Sequence, residues 1–276
     1  MDNKKFHNNL IVSTSPHIVT DEDTTKLMGT VLLAMLPALV ASTYIFGARV
    51  LLLAAVCIVA SVGFEWIYNM LAKKPQTISD LSAAVTGLLI AFNVPSSFPL
   101  WMAVIGCFVA IVVIKQLYGG IGRNFVNPAI TARIFLFISF AAQMTTWPLP
   151  RMAAKTDAVT GPTPLALVAG GASKSDLPSN MDMFLGFTGG SLGEVSALAI
   201  LVGGLFLIWR KVISPAIPCA FLGTIFVIAL AYYKGDFNMA IFHLCAGGVM
   251  LGAFFMATDY VTSPKLTKGQ IMFGIG

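Results

Sequence analysis

An all-α polytopic membrane protein, with about eight spans present and a ninth begun, is the fold class this sequence predicts. Three observations carry it. Apolar residues fill 57% of the 276 positions and charged residues only 11%. Mean hydropathy is +0.84. Long apolar runs recur along the chain with basic residues between them. Soluble domains carry about 25% charged residues. One soluble core cannot hide this much apolar surface, so lipid must be the solvent for much of it. The net charge of +5 is scattered between the runs as topology signals rather than gathered on one face for nucleic acid.

The N-terminal segment, residues 1–26, stays polar through Asp23 and lacks the early apolar stretch of a cleavable signal peptide. Within it, Thr20-Asp21-Glu22-Asp23 before Lys26-Leu27-Met28 reads as a capped helix opening, where the helix dipole favours carboxylates. His17, in Ser15-Pro16-His17, has no second ligand at metal spacing and reads as a capping or interface residue. A first membrane bundle, 27–146, follows. Its runs at 27–46, 49–72, 98–118 and 128–146 meet the length rule for spanning helices. The run 78–94 is shorter and ends at Pro95. It reads as a full span or as a half-helix ending inside the protein.

Between the fourth and fifth runs lies Gly119-Gly120-Ile121-Gly122-Arg123-Asn124-Phe125-Val126-Asn127-Pro128. Its glycines allow close backbone approach to a ligand. Asn127 can cap the next helix, with Pro128 at the favoured first position. Arg123 suits an anion or a ring carbonyl; a capped connector with a positive-inside arginine is the other reading. A long loop, 147–191, then interrupts the spans. It contains Asp157-Ala158-Val159-Thr160-Gly161-Pro162-Thr163-Pro164-Leu165. These are ordinary turn residues, yet a hydroxyl in such a setting can also carry a covalent group. Loops this long without secondary structure are usually functional or disordered.

The second bundle, 192–276, has runs at 192–210, 213–233 and 238–257, then an apolar start near Gly269 where the chain stops. Five runs, a loop, three runs and a beginning predict two inverted five-helix repeats with the C-terminal part missing. Asp259, at the end of the eighth run, reads as a solvated acid or as a group that binds a cation or fixes a loop beside a cofactor. Glu65 and Arg133 lie within runs, where ionisable groups are functional candidates by default. For Glu65 the readings are a cavity-facing group, a partner for a basic residue, or part of an ion path. With the N-terminus in the cytoplasm and every run crossing once, twelve basic residues fall inside and five outside, placing the Thr163 loop outside. Cys57, Cys107, Cys219 and Cys245 each sit alone in an apolar run and read as small buried hydrophobes.

Together these segments resemble a family: the D subunits of Rnf complexes, which are membrane-bound ferredoxin:NAD+ oxidoreductases, and the homologous B subunits of Na+-pumping NADH:quinone oxidoreductases. The resemblance rests on Ser15-Pro16-His17, the Gly119–Ala129 connector, Ala257-Thr258-Asp259-Tyr260-Val261-Thr262-Ser263-Pro264, and a flavin-attachment pattern at Asp157 to Thr163. It implies that a flavin transferase joins FMN through a phosphoester to Thr163, outside the cytoplasm. Asp157, Thr160, Gly161, Pro162 and Leu165 would complete the attachment motif. Pro162 stands where the family usually has Ala, and it restricts Gly161.

The resemblance further implies a second, non-covalent flavin such as riboflavin, and a chain that relays electrons in a redox-driven Na+ or H+ pump of the bacterial or archaeal cytoplasmic membrane. Gly120, Arg123, Asn124, Asn127, Asp259 and Glu65 are the candidates for that second flavin or an ion. This chain has no nucleotide-binding glycine fingerprint and no cluster-ligand cysteine spacing. NAD-binding and iron–sulfur subunits, and a second covalent-FMN subunit, are the partners the family implies. A quinone-reducing homologue, or a channel or secondary transporter without redox chemistry, are the competing readings.

Overall fold

The computed structural model describes residues 23–150 and 160–276; Ser15-Pro16-His17 and Asp157 lie outside them. Among the described residues the chain is all helical, with one isolated bridge, Pro148 to Thr160. The helices are α1 (Thr24–Phe46), α2 (Arg49–Leu71), α3 (Ser82–Phe92), α4 (Leu100–Phe108), α5 (Pro128–Ser139), α6 (Ala141–Met144), α7 (Pro164–Ala169), α8 (Asn180–Leu185), α9 (Ala197–Trp209), α10 (Ala216–Tyr232), α11 (Phe237–Cys245), α12 (Val249–Leu251) and α13 (Thr267–Ile275). Two of them, α1 and α2, are long and apolar enough to cross a membrane. A third crossing is gained if α11 and the segment through Met256 count as one bent span.

Local chemistry explains several boundaries. Asp23 caps α1 through its side chain. Asn127 caps α5, accepting from the Ala129 and Ile130 amides, with Pro128 in the first turn. The run 128–146 breaks at Phe140, whose backbone leaves the helical region (φ −132°, ψ 49°). The run 238–257 bends by 66° between Cys245 and Val249, where Ala246 is extended and Gly247 takes φ +65°. The run 192–210 becomes helical only at Ala197, capped by Ser196. The loop 147–191, expected to lack secondary structure, holds two short helices capped by Thr163 and Ser179.

The run 78–94 forms a short 3-10 turn and then α3, eleven residues long and buried at every position. At 1.5 Å per residue such a helix covers about 16 Å, half of a hydrocarbon core of about 30 Å. Its surroundings still join the two ends of the bundle. Thr25, at the start of α1, donates to the Ser79 carbonyl at 2.9 Å. Arg49, beyond the far end of α1, donates to the carbonyls of Ser96, Ser97 and Phe98. Residues 79–98 therefore run from one end to the other, as α3 flanked by turns.

α3 lies against α2, and α2 also packs on α4. α1 packs on α9, where Gly203 meets the Ala34 carbonyl so closely that a side chain would collide. Small residues that let backbones approach are typical of helix contacts in lipid. The outward faces carry Val40, Tyr44, Val59, Leu71, Ile138, Trp209 and Tyr232, all strongly exposed. Polar residues are turned inward, as Glu65, Lys115, Asn69 and Asn93 show. This inside-out pattern suits a lipid surround.

Candidate functional sites at the two ends of the bundle

The connector after α4 lies at the end of the bundle where α1 begins. The helix from Leu100 continues as a π-helix over Val109–Gln116. Gly119 and Gly120 then adopt φ +114° and +91°, which a side chain would disfavour. Tyr118 and Phe125 close the turn edge-to-face at 4.8 Å. Asn124 is buried and donates to the Val126 carbonyl at 3.0 Å. Asn127 caps α5 with its oxygen and reaches the Met256 carbonyl with its amide nitrogen at 3.4 Å.

Asn124, Asn127 and Asp259 line one cavity of about 110 Å³, together with Ser82, Thr86 and Lys115. Asp259 accepts from the Val261 amide at 3.3 Å and the Thr262 hydroxyl at 3.2 Å. Burial pushes its carboxyl above the usual range, and those two hydrogen bonds oppose the shift. Three candidates from the sequence thus share one cavity. Gly120 and Arg123 do not line it, and Arg123 is exposed.

Glu65 does not line that cavity, but it is one residue away. Its carboxylate receives Lys115 Nζ at 3.2 Å on both oxygens, Gln116 Nε2 at 2.7 Å and the Thr77 hydroxyl at 2.8 Å. Lys115 also donates to Ser82 Oγ at 2.6 Å, and Ser82 donates to Asp80. Glu65 is 1% exposed and Lys115 3%. The basic-residue count treats Lys115 as a loop charge; in the structure it is a buried ion-pair partner that also walls the cavity. Arg133, on the inside of the same count, lies within α5 at the opposite end. Without these two the basic split is ten to five, with the same sign.

The Thr163 end is built differently. Thr160 bridges Pro148, and the Gly161 amide donates to the Trp147 carbonyl at 3.0 Å. A Cβ at Gly161 would stand 2.8 Å from the end of the Leu149 side chain, which would have to shift to admit it. Pro162 is exposed. Thr163 caps α7: its hydroxyl accepts from the Ala166 amide at 3.2 Å, and Pro164 fills the first helical position. Thr163 and Leu165 line a cavity of about 180 Å³ with Arg133, Glu194 and the pairs Gly189-Gly190 and Gly247-Gly248. A Cβ on Gly190 or Gly248 would stand 3.2–3.3 Å from the Glu194 carboxylate, so glycine keeps the polar wall open. Leu165 and Ala246 also line an adjoining apolar cavity of about 320 Å³ with Tyr232, Tyr233 and His243. His243 and Tyr233 stack, with Nε2 and the phenol oxygen 3.1 Å apart.

A helical chain with apolar outer faces, a buried ion pair, and a cavity with polar residues in its wall at each end defines an integral membrane protein. The family described as NQR2, RnfD, RnfE matches residues 11–276, and the chain belongs to it. It is 47% identical to the D subunit of the Na(+)-translocating ferredoxin:NAD(+) oxidoreductase complex of Acetobacterium woodii, covering 97% of this chain and 82% of that protein. Identity to the D subunit of the proton-translocating ferredoxin:NAD(+) oxidoreductase complex of Clostridium ljungdahlii is 40%, covering 96% and 83%. The D subunit of the ion-translocating oxidoreductase complex of Rhodobacter capsulatus is 36% identical, covering 95% and 81%.

Proposed function

We propose that this chain is the D-type membrane subunit of an ion-translocating ferredoxin:NAD+ oxidoreductase, carrying FMN in phosphoester linkage on Thr163. The observation that carries the reading is the position of Thr163: it lines a cavity that Arg133 and two glycine pairs also line. The residues present suit a tethered flavin. The cavity alone is smaller than cofactor sites of about 300–1,000 Å³. The aromatic cavity that meets it at Leu165 and Ala246 supplies a surface for a ring. Bound flavin would supply one- and two-electron chemistry; the protein's part is to hold and orient it. Gly161 keeps the approach to Thr163 open, and Pro164 fixes the start of α7 so that the hydroxyl stays at the helix entrance. Asp157 is proposed to orient the motif in the transferase.

The cavity at the connector is proposed as the second site, for an ion or a non-covalent flavin. Asn124, Asn127 and Asp259 would be its polar contacts, and Lys115 would link it to Glu65. Its 110 Å³ suits a small ion as it stands; a flavin would require its α1 and α3 wall to open. The proposed topology has eight crossings, the N-terminus in the cytoplasm and the Thr163 loop outside. Residues 27–146 and 192–276 form the two membrane bundles, as inverted repeats, around the flavin-bearing loop 147–191. Iron–sulfur and NAD-binding chemistry, a second covalent-FMN subunit and the flavin transferase come from partners. The test is denaturing mass spectrometry of the purified complex. An FMN mass shift that survives denaturation, maps to the Thr163 peptide, disappears in Thr163→Ala and persists in Thr160→Ala is expected. A shift lost in Thr160→Ala and kept in Thr163→Ala would refute the assignment.

A further inference from the structure

Arg133 is a cation at membrane depth whose charge no group among the described residues balances by contact. It stands on α5 beside Ile134, Phe137 and Ile138, which are turned outward and are 54%, 51% and 76% exposed. A guanidinium offers five N–H donors. Among the described residues, Arg133 makes one hydrogen bond, from one terminal nitrogen to Asn93 Oδ1 at 2.9 Å. The ion pairs among those residues are Lys115–Glu65 and Lys174–Asp236, so none of their carboxylates lies within 4.0 Å of it. An unpaired charge in this setting is costly. Its geometry is nonetheless fixed. Asn93 is 1% exposed, and its amide nitrogen is tied to the Leu89 carbonyl at 2.7 Å, which aims its oxygen at Arg133.

Arg133 also lines the cavity that Thr163 lines. Gly248 lies so near that a Cβ there would be 3.4 Å from the guanidinium. Glu194 shares the wall: one of its oxygens accepts from the Ser191 amide at 2.8 Å, and the other faces the same Gly248 position at 3.2 Å without coming within ion-pair distance of Arg133. A planar donor fork, glycines in the wall and a threonine lining the same cavity match an anion with two free oxygens, as in a phosphate diester. We infer that Arg133 is the counter-ion of the phosphodiester on Thr163, making it a positioning residue that orders the tethered flavin. This rests on the reading of Thr163 as the acceptor, since attachment converts that hydroxyl into a singly charged diester within the cavity.

The intact complex would be purified with Arg133→Gln, Arg133→Lys, Arg133→Met and Thr163→Ala, each checked for assembly by size-exclusion chromatography. Denaturing mass spectrometry reads attachment. Flavin fluorescence anisotropy and iodide quenching read order, taking the signal that Thr163→Ala lacks. In Arg133→Gln and Arg133→Met the FMN mass shift should persist while anisotropy falls and quenching rises severalfold; Arg133→Lys should fall between. An attached flavin whose anisotropy and quenching match wild type in both neutral variants would overturn the inference. If wild type carries no FMN on Thr163, the acceptor reading fails, and the anion site is then judged with free ligands. FMN held about tenfold tighter than riboflavin, with the preference lost in Arg133→Gln, would support an anion site at Arg133; equal binding would sink it.

Discussion

Glu65 and Lys115 show how much one residue's meaning depends on a partner fifty positions away. Each alone would be a costly charge in an apolar interior; together, with Gln116, Thr77 and Ser82, nearly all their hydrogen-bonding capacity is used. Removing one member of a buried pair typically costs about 3–5 kcal/mol, because the other charge is left uncompensated. Lys115→Met should therefore destabilise the protein by roughly that amount. The double variant Glu65→Gln, Lys115→Met should recover most of the loss. Thermal unfolding in detergent measures both; equal destabilisation by the single and double variants would show that the pair is not the source. Glu65 is legible in the sequence as an intramembrane acid. Its partner is not, because a lysine at the end of an apolar run ordinarily marks the membrane surface. Only the π-helical turn over Val109–Gln116, whose Lys115 and Gln116 both reach Glu65, reveals its direction.

At the scale of elements, helix starts are readable in the sequence and helix interruptions are not. Asn127-Pro128 announces α5 because capping is local chemistry. The bend at Ala246–Gly248 lies inside an unbroken apolar run, and hydropathy does not register a backbone that leaves the helix. Asn124 and Asn127 of the connector meet Asp259 in one cavity only because the segment after Met256 folds back toward Asn127. Close approach is also hidden. Gly87 on α3 faces the Cys57 carbonyl, and a Cβ there would stand 2.6 Å from it; Gly63, on the same partner helix, has open space around it. Gly87→Ala should cost about 1–3 kcal/mol through overpacking. Gly63→Ala should be neutral or stabilising by about 0.5–1 kcal/mol, since glycine weakens a helix interior. Unfolding midpoints of the two variants, measured side by side, check the contrast; equal effects would contradict the α2–α3 contact.

For the molecule as a whole, the basic-residue count and the contacts sort segments alike: the Thr25–Ser79 and Arg49–Ser96 hydrogen bonds gather at opposite ends the loops that the count assigns to opposite sides. The Thr163 end is also tied together across the loop by a salt bridge between Lys174 and Asp236, the cap of α11. The hydrogen bond from Lys174 holds the Asp236 carboxyl below its ordinary value, with backbone amides of Met239 and Asn238 adding to the shift. A depressed folded value means the contact contributes fully above the ordinary carboxylate range and is lost as pH falls through the lower folded value. Amide protection in residues 174–185, measured relative to the intrinsic exchange rate at each pH, should therefore fall on acidification. In Asp236→Asn, which keeps a capping side chain, that pH dependence should vanish; its persistence would assign the effect to another group. A last consequence concerns time rather than energy. The carbonyls of Phe92 and Val94 at the end of α3 are satisfied by the amides of Gly193 and Leu192, about a hundred residues downstream. At a synthesis rate of about 5–20 residues per second, those carbonyls wait several seconds for their partners. The half-helix at the centre of the first bundle can thus lock only after the whole Thr163 loop has been made and the second bundle has begun to emerge. Under the proposed topology, the Thr163 segment is exported while the core that will support it is still open.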